Sequence, residues 1–410
     1  HADRRIRALC ILWGRSDGVG MRVAAQWAFL LCGVACGCID VREDCGARGS
    51  DAYGDDTAAF QKCQSLAVGQ GGGCVTVPPG AYPLTGVIVN SSHVHWRVSA
   101  GATLTTPMGW NAKQAVSLFV LGAPESATAV RNVSVVGEGG RFVCDCRAQA
   151  KTGQKVRGIE FTANLANFTA GNVRILMAYG DPNGPDKTVL NTNAMAMNNW
   201  ISPDKATYHP NGGHVFNITA SGMWDGYGLV QVQSAANILF EHLDGTGGVT
   251  LRLETGVQTP GSFVSNITAR DIVCRDGDSA FLSSPHAQAN GRFTVTDVKS
   301  YSCFFAVHFV AGYAQYGNPP GVYSNDSSVA GVVASFGKNA TCDELCRENK
   351  FFGDSCGACS YGLNGNFPTQ INYKVSLTDV QGVGFPFNHD YSKCTIFNRH
   401  HESCPYWPTP

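Results

Sequence analysis

Hydrophobic residues in the middle of the chain alternate with polar ones inside short runs that are rich in Val, Ile, Thr and Phe. Each run pairs a segment of the type NITA or NVSV with a second one that follows a turn rich in glycine or aspartate. A period of two is typical of half-buried strands. Because the same phrase returns at a fairly steady interval, we predict an all-β solenoid, a parallel β-helix, rather than a β-sandwich.

The amino-terminal segment predicts a short helix that caps this solenoid. Asp55 and Asp56 precede a helical stretch from Thr57 through Leu66. We interpret the two aspartates as helix caps, because carboxylates at this position accept hydrogen bonds from free amides, rather than as a catalytic pair or a calcium site. A cap is expected because an open solenoid end would expose unpaired strand edges.

Composition narrows the classes of function. The chain has 410 residues, of which 44% are hydrophobic and 15% are charged, so it can bury a large core. Its formal net charge of -1 excludes the strong positive field of a nucleic-acid-binding protein. A polyanionic partner would therefore have to be held by a local basic patch.

Several features predict an exported, disulfide-bonded glycoprotein. Met21 and Arg22 are followed by the apolar run VAAQWAFLLCGVACGC, so we predict a signal peptide over 21–37, with 1–20 as an upstream extension. This run is shorter than the roughly 20 residues that a membrane-spanning helix needs. The 17 cysteines favour an oxidising compartment. N-x-S/T sequons occur at Asn90, Asn132, Asn167, Asn217, Asn266, Asn325 and Asn339.

The carboxyl-terminal part differs in composition from the middle of the chain. We predict a β-helix catalytic domain over 38–312 and a Cys-rich extension or cap over 313–410, in which INYKVSLTDV is one more strand. The late cysteines have a spacing that zinc sites also use, but in an exported chain we interpret them as disulfides, with pairing left open: Cys342, Cys346, Cys356, Cys359, Cys394 and Cys404.

The segment GGVTLRLETG, residues 247–256, carries the clearest candidate chemistry. Arg252 and Glu254 are two residues apart on a predicted strand, so their side chains project from one face, while the leucines between them face the core. A carboxyl group beside a guanidinium group suits work on an anionic polymer. Gln231 and Gln233 share an outward face about one rung earlier.

Longer phrases resemble known families. DDTAAFQ, GGGCVTVPPGAY and VSAGATL resemble the start of pectin-lyase-like β-helix enzymes, although only fragments of the polygalacturonase motifs are present. GYGLVQVQSAANILF, GGVTLRLETG and SSPHAQANG are more similar to the iota-carrageenases of glycoside hydrolase family 82, from about Asp44 to about Gly312. This resemblance implies a right-handed β-helix that hydrolyses a sulfated galactan with inversion.

The resemblance also implies roles for individual residues. Glu254 corresponds to the general acid. Gln231 corresponds to a glutamine that holds water or substrate, and its alternative role is in a structural ladder of stacked amides. His286 corresponds to an active-site histidine that binds sulfate or orients the attacking water. In the family, the general base is an aspartate two residues after the acid. Residues two apart on a strand lie about 6.6 Å apart, which falls within the roughly 6.5 to 9.5 Å that separates the two carboxyl groups of inverting enzymes. The family's base position is Gly256 here, and loss of a general base costs on the order of 10² to 10⁴ in rate.

Other residues have alternative interpretations. Three aspartates are candidates for the missing base: Asp278, one rung later, and Asp225 and Asp244 in flanking turns. For each of them we favour the alternative of a turn residue, because aspartate commonly bonds its own backbone. Arg252 either forms an ion pair with Glu254 or binds a sulfate or carboxylate of the substrate, and we favour the second role. Three arginines are candidates for extending a local basic track: Arg270, Arg275 and Arg292. Gln233 and His308 are candidates for substrate binding, and the alternative for His308 is a hydrogen-bonded structural role.

Together these patterns predict a secreted, monomeric glycoside hydrolase that acts on an anionic polysaccharide, with no nucleic-acid or membrane partner. We expect that the protein requires no cofactor and no catalytic metal. Whether it binds a structural calcium or chloride ion is left open by the sequence. The alternatives are another polysaccharide-active β-helix enzyme, a polygalacturonase or a lyase, and a glycan-binding protein with weakened catalysis.

Overall fold

The computed structural model describes most of the central chain. The described residues are 37–50, 54–108, 110, 116–147, 155–178, 192–223, 227–256, 261–303, 305–310, 312–315, 317–335, 362–366 and 375–383. The sequence predictions for 1–20, most of 21–37, Asp225, Asn339 and the cysteines from Cys342 onward lie outside these residues.

The chain winds as a right-handed parallel β-helix whose two large sheets run along the solenoid axis. The fourteen-stranded sheet contains β1 Ile39–Asp40, β2 Gly73–Val77, β3 Gly80–Pro83, β5 Val94–Ser99, β6 Ala102–Thr105, β8 Val130–Glu138, β9 Phe142–Asp145, β11 Leu165–Leu176, β15 Asn211–Ser221, β17 Ala235–Thr246, β19 Val264–Arg275, β21 Phe293–Tyr301, β23 Ser327–Ser335 and β25 Val375–Val383. The nine-stranded sheet contains β4 Val87–Val89, β7 Val116–Leu121, β10 Val156–Phe161, β12 Met195–Met197, β16 Gly228–Val232, β18 Val249–Glu254, β20 Ser279–Ser284, β22 Phe305–Val310 and β24 Gly362–Asn366.

From residue 156 to residue 310, strands of the two sheets alternate along the chain, apart from a small antiparallel hairpin of β13, Trp200–Ile201, and β14, Thr207–Tyr208. The strand predicted in INYKVSLTDV is β25, and together with β23 and β24 it extends both sheets beyond residue 312. Inward side chains alternate with outward ones as the period-two pattern predicts, and the buried hydrophobic residues of both sheets form one continuous core.

A helix covers the amino-terminal end of the core, as predicted. It spans α1 Thr57–Gly69, three residues longer than the sequence suggested, and its Phe60 ring stacks on Trp96 with centroids 5.4 Å apart. Asp55 accepts a hydrogen bond from the backbone N–H of Thr57 and so caps the helix. Asp56 does not cap it, because its carboxylate accepts from the N–H groups of Arg48 and Gly49 instead.

Among the residues that the structure describes, three disulfides join parts of the fold: Cys38–Cys74, Cys45–Cys63 and Cys274–Cys303. Two of them tie the cap region together, and the third links two successive rungs. Cys144 and Cys146 are buried thiols on the same strand face. In the part of the chain that the structure describes, no helix is long and apolar enough to cross a membrane.

Two rows of residues with positive φ form corners of the solenoid within the long strands. One row contains His93, Asn132, Asn167, Gly212, Asn237 and Asn266, and the other contains Asn172, Asn217, His242, Asp271, Asp297 and Gly331. Asparagine tolerates this left-handed conformation better than most residues. Its amides also bond from rung to rung: Asn266 Nδ2 donates to Asn237 Oδ1 at 2.6 Å, and Asn217 Nδ2 donates to Asn172 Oδ1 at 2.6 Å.

The connections that leave the carboxyl ends of the nine-stranded sheet differ in length, and this difference positions the site. Only Gln233 and Ser234 join β16 to β17. Longer segments follow the neighbouring strands, and they span residues 198–210, 255–263, 285–292 and 311–326. The connection after β16, the strand that carries Gln231, is therefore shorter than those that follow the neighbouring strands.

Candidate active site

A row of side chains runs across the outer face of the nine-stranded sheet. The strand register places these residues opposite one another on successive strands: Glu160, Ala196, Gln231, Arg252, Leu282 and His308. Glu254 lies two residues beyond Arg252, at the end of β18. The side chains of Leu251 and Leu253 are fully buried in the core. The predicted common face for Arg252 and Glu254 is therefore confirmed.

Among the described residues, three side chains contact the carboxylate of Glu254. Its Oε1 lies 2.5 Å from a terminal nitrogen of Arg252 and 3.3 Å from His286 Nε2. Its Oε2 accepts a hydrogen bond of 2.6 Å from Gln231 Nε2. The guanidinium of Arg252 also lies over the ring of Tyr227, 5.1 Å from its centroid. Three residues predicted from the sequence thus converge on one carboxylate.

This environment sets the charge of Glu254. Burial raises the pKa of the carboxyl group, but the charge of Arg252 and the hydrogen bonds from His286 and Arg252 outweigh burial and lower the pKa to about 2. The side chain is therefore an ionised carboxylate at neutral pH in the free protein. Of the two roles considered for Arg252, the ion pair is the one that the structure contains.

Gln231 is nearly buried and is itself held by a neighbour that the sequence did not indicate. Asn193 Nδ2 donates to Gln231 Oε1 at 2.6 Å, so the amide of Gln231 bridges Asn193 and Glu254. Gln233 lies just past the end of β16, partly exposed. Its backbone carbonyl accepts a hydrogen bond of 3.0 Å from the N–H of Gly256, the position at which the resemblance predicted a base.

His286 follows β20 and approaches Glu254 from the segment 285–292. Its backbone adopts a φ of 48°, a left-handed conformation that is uncommon for a residue with a side chain. Its ring also packs against Tyr313, with centroids 5.4 Å apart. The Nδ1 atom of His286 is buried and makes no hydrogen bond to the residues that the structure describes.

Asp278 does not lie beside Glu254, in contrast to the expectation from sequence. It directly precedes Ser279, which pairs with Val249 at the start of β18, whereas Glu254 pairs with Ser284 at the other end. Six residues of extended strand, about 20 Å, therefore separate it from the position opposite Glu254. Its carboxylate instead lies 3.9 Å from His308 Nδ1, and both side chains are buried. The burial of His308 does not support its proposed contact with substrate.

The other acidic and basic candidates lie on the fourteen-stranded sheet or beside it. Asp244 is on β17, and Arg270 and Arg275 are on β19. The predicted extension of a basic track by arginines is wrong for these positions, because each arginine is paired with an acid of that sheet region. The partners of Arg270, Arg275 and Arg292 are Glu241, Asp244 and Asp326, respectively.

A second carboxylate that the sequence analysis missed lies on the same outer face. Glu160 accepts hydrogen bonds from Ser117 at 2.8 Å and from Asn198 at 2.7 Å, and it pairs with Arg157 at 3.3 Å. The Arg157 side chain also donates to the hydroxyl of Thr192, at 3.2 Å, and Thr192 directly precedes Asn193. Glu160 and Arg157 thus form a second polar cluster, which reaches Thr192, the residue next to Asn193 in the chain.

The described residues contain no group of three or more His, Cys, Asp or Glu side chains arranged to hold a metal ion. The chemistry that these residues offer is that of a carboxylate, an imidazole and a guanidinium in contact. Such an arrangement can transfer a proton and bind an anionic group.

The fold and the site define a right-handed parallel β-helix protein with a carboxylate-centred site on the outside of one sheet. No protein-family profile matches the chain. Over 250 residues it is 31% identical to an iota-carrageenase of Zobellia galactanivorans, an alignment that covers 60% of this chain and 47% of that protein. Over 315 residues it is 28% identical to an iota-carrageenase of Alteromonas macleodii, covering 76% of this chain and 60% of that protein.

Solved structures give the same result for the fold. The chain superposes with a TM-score of 0.74 and 24% identity on a 1,3-alpha-1,4-beta-D-galactose-4-sulfate-3,6-anhydro-D-galactose-2-sulfate 4 galactohydrolase, covering 91% of this chain and 94% of the other. An iota-carrageenase complexed to iota-carrageenan fragments matches with a TM-score of 0.73, 21% identity and the same coverage. The resemblance to iota-carrageenases predicted from the motifs is confirmed. The chain spans 47% and 60% of the lengths of the two curated relatives.

Proposed function

We propose that this protein is a secreted glycoside hydrolase that cleaves a sulfated galactan of the iota-carrageenan type. The observation that carries this proposal is the position of Glu254, held by Gln231, Arg252 and His286 on the outer face of a fold shared with iota-carrageenases. Glu254 is the proton donor to the leaving oxygen. The relatives named above supply the substrate class.

Substrate binding has to change the charge of Glu254 before it can donate a proton. A sulfate group matches the planar guanidinium of Arg252 and competes with Glu254 for it. Loss of that pairing removes the main cause that lowers the pKa of Glu254, while burial, which raises the pKa, increases under a bound polymer. Binding of an anionic substrate therefore promotes protonation of the Glu254 carboxylate.

Inverting hydrolysis also needs a group that activates water. Gly256 provides no side chain for this purpose, and no carboxylate is among the hydrogen-bond or ion-pair partners that the described residues give Glu254. We assign the orientation of the attacking water to His286, whose ring lies 3.3 Å from Glu254. Without a general base, the water releases its proton to solvent.

A reducing-sugar assay on iota-, kappa- and lambda-carrageenan and on polygalacturonate tests the proposal. We expect turnover of a sulfated galactan by the wild type and its loss in Glu254→Gln, which keeps the shape of the side chain. Asp244→Asn is the matched control, since Asp244 lies on the other sheet and pairs with an exposed arginine. Absence of turnover on every substrate would refute hydrolysis, and an ultraviolet-absorbing unsaturated product would indicate a lyase.

A second function, glycan binding with little turnover, is favoured by two observations. Gly256 removes the expected base, and the pKa of Glu254 of about 2 keeps the proposed acid ionised in the free protein. Calorimetric titration with carrageenan oligosaccharides distinguishes the two functions. Binding that is unchanged in Glu254→Gln, together with no release of reducing ends by the wild type, identifies a binding protein.

A further inference from the structure

Asn193 lies at one end of a directional chain of hydrogen bonds that leads to Glu254. It precedes β12 and is 3% exposed, and Gln231 is also 3% exposed. The two bonds of the chain are each 2.6 Å long, from Asn193 Nδ2 to Gln231 Oε1 and from Gln231 Nε2 to Glu254 Oε2. Two buried amides thus form a relay that points at the carboxylate.

The direction of the relay follows from the chemistry of its members. A primary amide has a donor end and an acceptor end, so Gln231 can face Glu254 in two ways. An ionised carboxylate only accepts hydrogen bonds, and it is stabilised when the donor end faces it. The donor of Asn193 occupies the acceptor end of Gln231 and so favours this orientation.

Asn193 carries a feature that a purely structural asparagine rarely has. Its Oδ1 atom is buried and has no hydrogen-bond partner among the described residues. Buried polar atoms are usually satisfied, and exceptions call for an explanation such as a functional role. The hydrogen bond that Asn193 makes within this network goes to Gln231.

We infer that Asn193 is a positioning residue, which orients the amide of Gln231 so that its donor end faces Glu254 and stabilises the ionised carboxylate. The inference rests on the proposed function only in giving Glu254 a catalytic role. The effect on the charge of Glu254 exists whether or not the protein turns over a substrate.

Asn193→Asp tests the inference because the substitution keeps the shape of the side chain but removes the donor. Gln231 then has to turn its donor end toward residue 193 and its acceptor end toward Glu254, which disfavours the ionised form. We expect the pKa of Glu254 to rise by about one unit, a tenfold change in its protonation equilibrium. Asn193→Ala removes the donor without adding a charge, and we expect a smaller rise.

Carbon-13 NMR of the glutamate carboxyl groups reads this pKa directly, with Glu254→Gln assigning the signal. The added charge of Asn193→Asp also acts through space, so the same substitution is made in a Gln231→Leu background. A smaller shift in that background than in the wild type supports the relay. Equal shifts, or no shift in a variant whose thermal unfolding is cooperative, would overturn it.

Activity provides an independent readout. If the wild type cleaves a sulfated galactan, the alkaline limb of its kcat/KM profile should move upward with the NMR value in Asn193→Asp. A lower rate with an unmoved limb would indicate structural damage and contradict the positioning role. If the wild type shows no turnover, the proposed hydrolase function fails while the titration still decides the role of Asn193.

Discussion

Replacing Arg252 with glutamine should reveal how much the ion pair with Glu254 contributes to stability. The pKa of Glu254 is lowered from 4.5 to about 2 against the opposing effect of burial, and its side chain is 16% exposed. A shift of this size corresponds to about 3 kcal/mol. Removing one partner of a buried ion pair typically costs about 3 to 5 kcal/mol. We therefore expect Arg252→Gln to lower the free energy of unfolding at pH 7 by about 3 kcal/mol.

The pH dependence has a definite sign. The pKa of Glu254 is lower in the folded wild type than in the unfolded chain, so its contribution is fully present above about pH 5 and is lost as the pH falls toward about 2. In Arg252→Gln, burial raises the pKa of the remaining carboxylate, which becomes protonated at a higher pH. The difference between wild type and variant should therefore be largest near neutral pH and shrink in acid.

Urea denaturation at several pH values between 3 and 7 measures this difference. Arg275→Gln is the matched control, because Arg275 pairs with Asp244 on the other sheet and is 47% exposed. An exposed pair of this kind contributes about 0.2 to 1 kcal/mol. Equal losses in the two variants, or a loss in Arg252→Gln that does not shrink in acid, would refute the proposed coupling.

Three further substitutions test other parts of the structure. Gly256→Asp restores a carboxylate two residues from Glu254 and should raise the rate of reducing-end release by on the order of 10² to 10⁴, whereas an unchanged rate would show that Gly256 does not limit turnover. Asp278→Asn should leave that rate unchanged, since Asp278 is remote from Glu254, and a large loss would contradict the register. Phe60→Ala should lower the free energy of unfolding by about 3 to 5 kcal/mol in chemical denaturation, because the ring is fully buried against Trp96, and a loss below about 1 kcal/mol would contradict this packing.

The parts of the structure that depend on local periodicity can be predicted from the sequence. Side chains alternate between the two faces of a strand, so Arg252 and Glu254 share a face in any sheet that contains this strand. The capping helix and the strand-turn-strand phrase likewise depend on neighbouring residues. Gln231 was placed correctly because only 21 residues separate it from Arg252, its partner in register, with a short connection between the strands.

The alignment of residues between rungs cannot be predicted in the same way, because the rungs differ in length. In register, 36 residues separate Glu160 from Ala196, and 35 separate Ala196 from Gln231. The next rung has 21 residues and the one after it has 30. No fixed period could align Glu160 or Asn193 with the site, or show that Asp278 pairs near the far end of β18. The predicted basic track is wrong for Arg270 and Arg275 because successive strands along the chain belong to different sheets. These arginines lie on β19, outside the sheet that contains Glu254.

Each corner in the two rows of positive-φ residues places a different requirement on three consecutive residues. The first residue adopts positive φ, the second faces the core and the third faces outward, as in Asn266, Ile267 and Thr268. Asparagine, an apolar residue and threonine meet these demands, and the same three residues form an acceptor site for an N-linked glycan. The hydrogen bond between rungs and the attachment of a glycan thus require the same atom, because Nδ2 of Asn266 already donates to Asn237 on the previous rung. In a glycosylating host, peptide mass mapping should find sugar at Asn90 and Asn325, outside the corner rows, in preference to the corner asparagines.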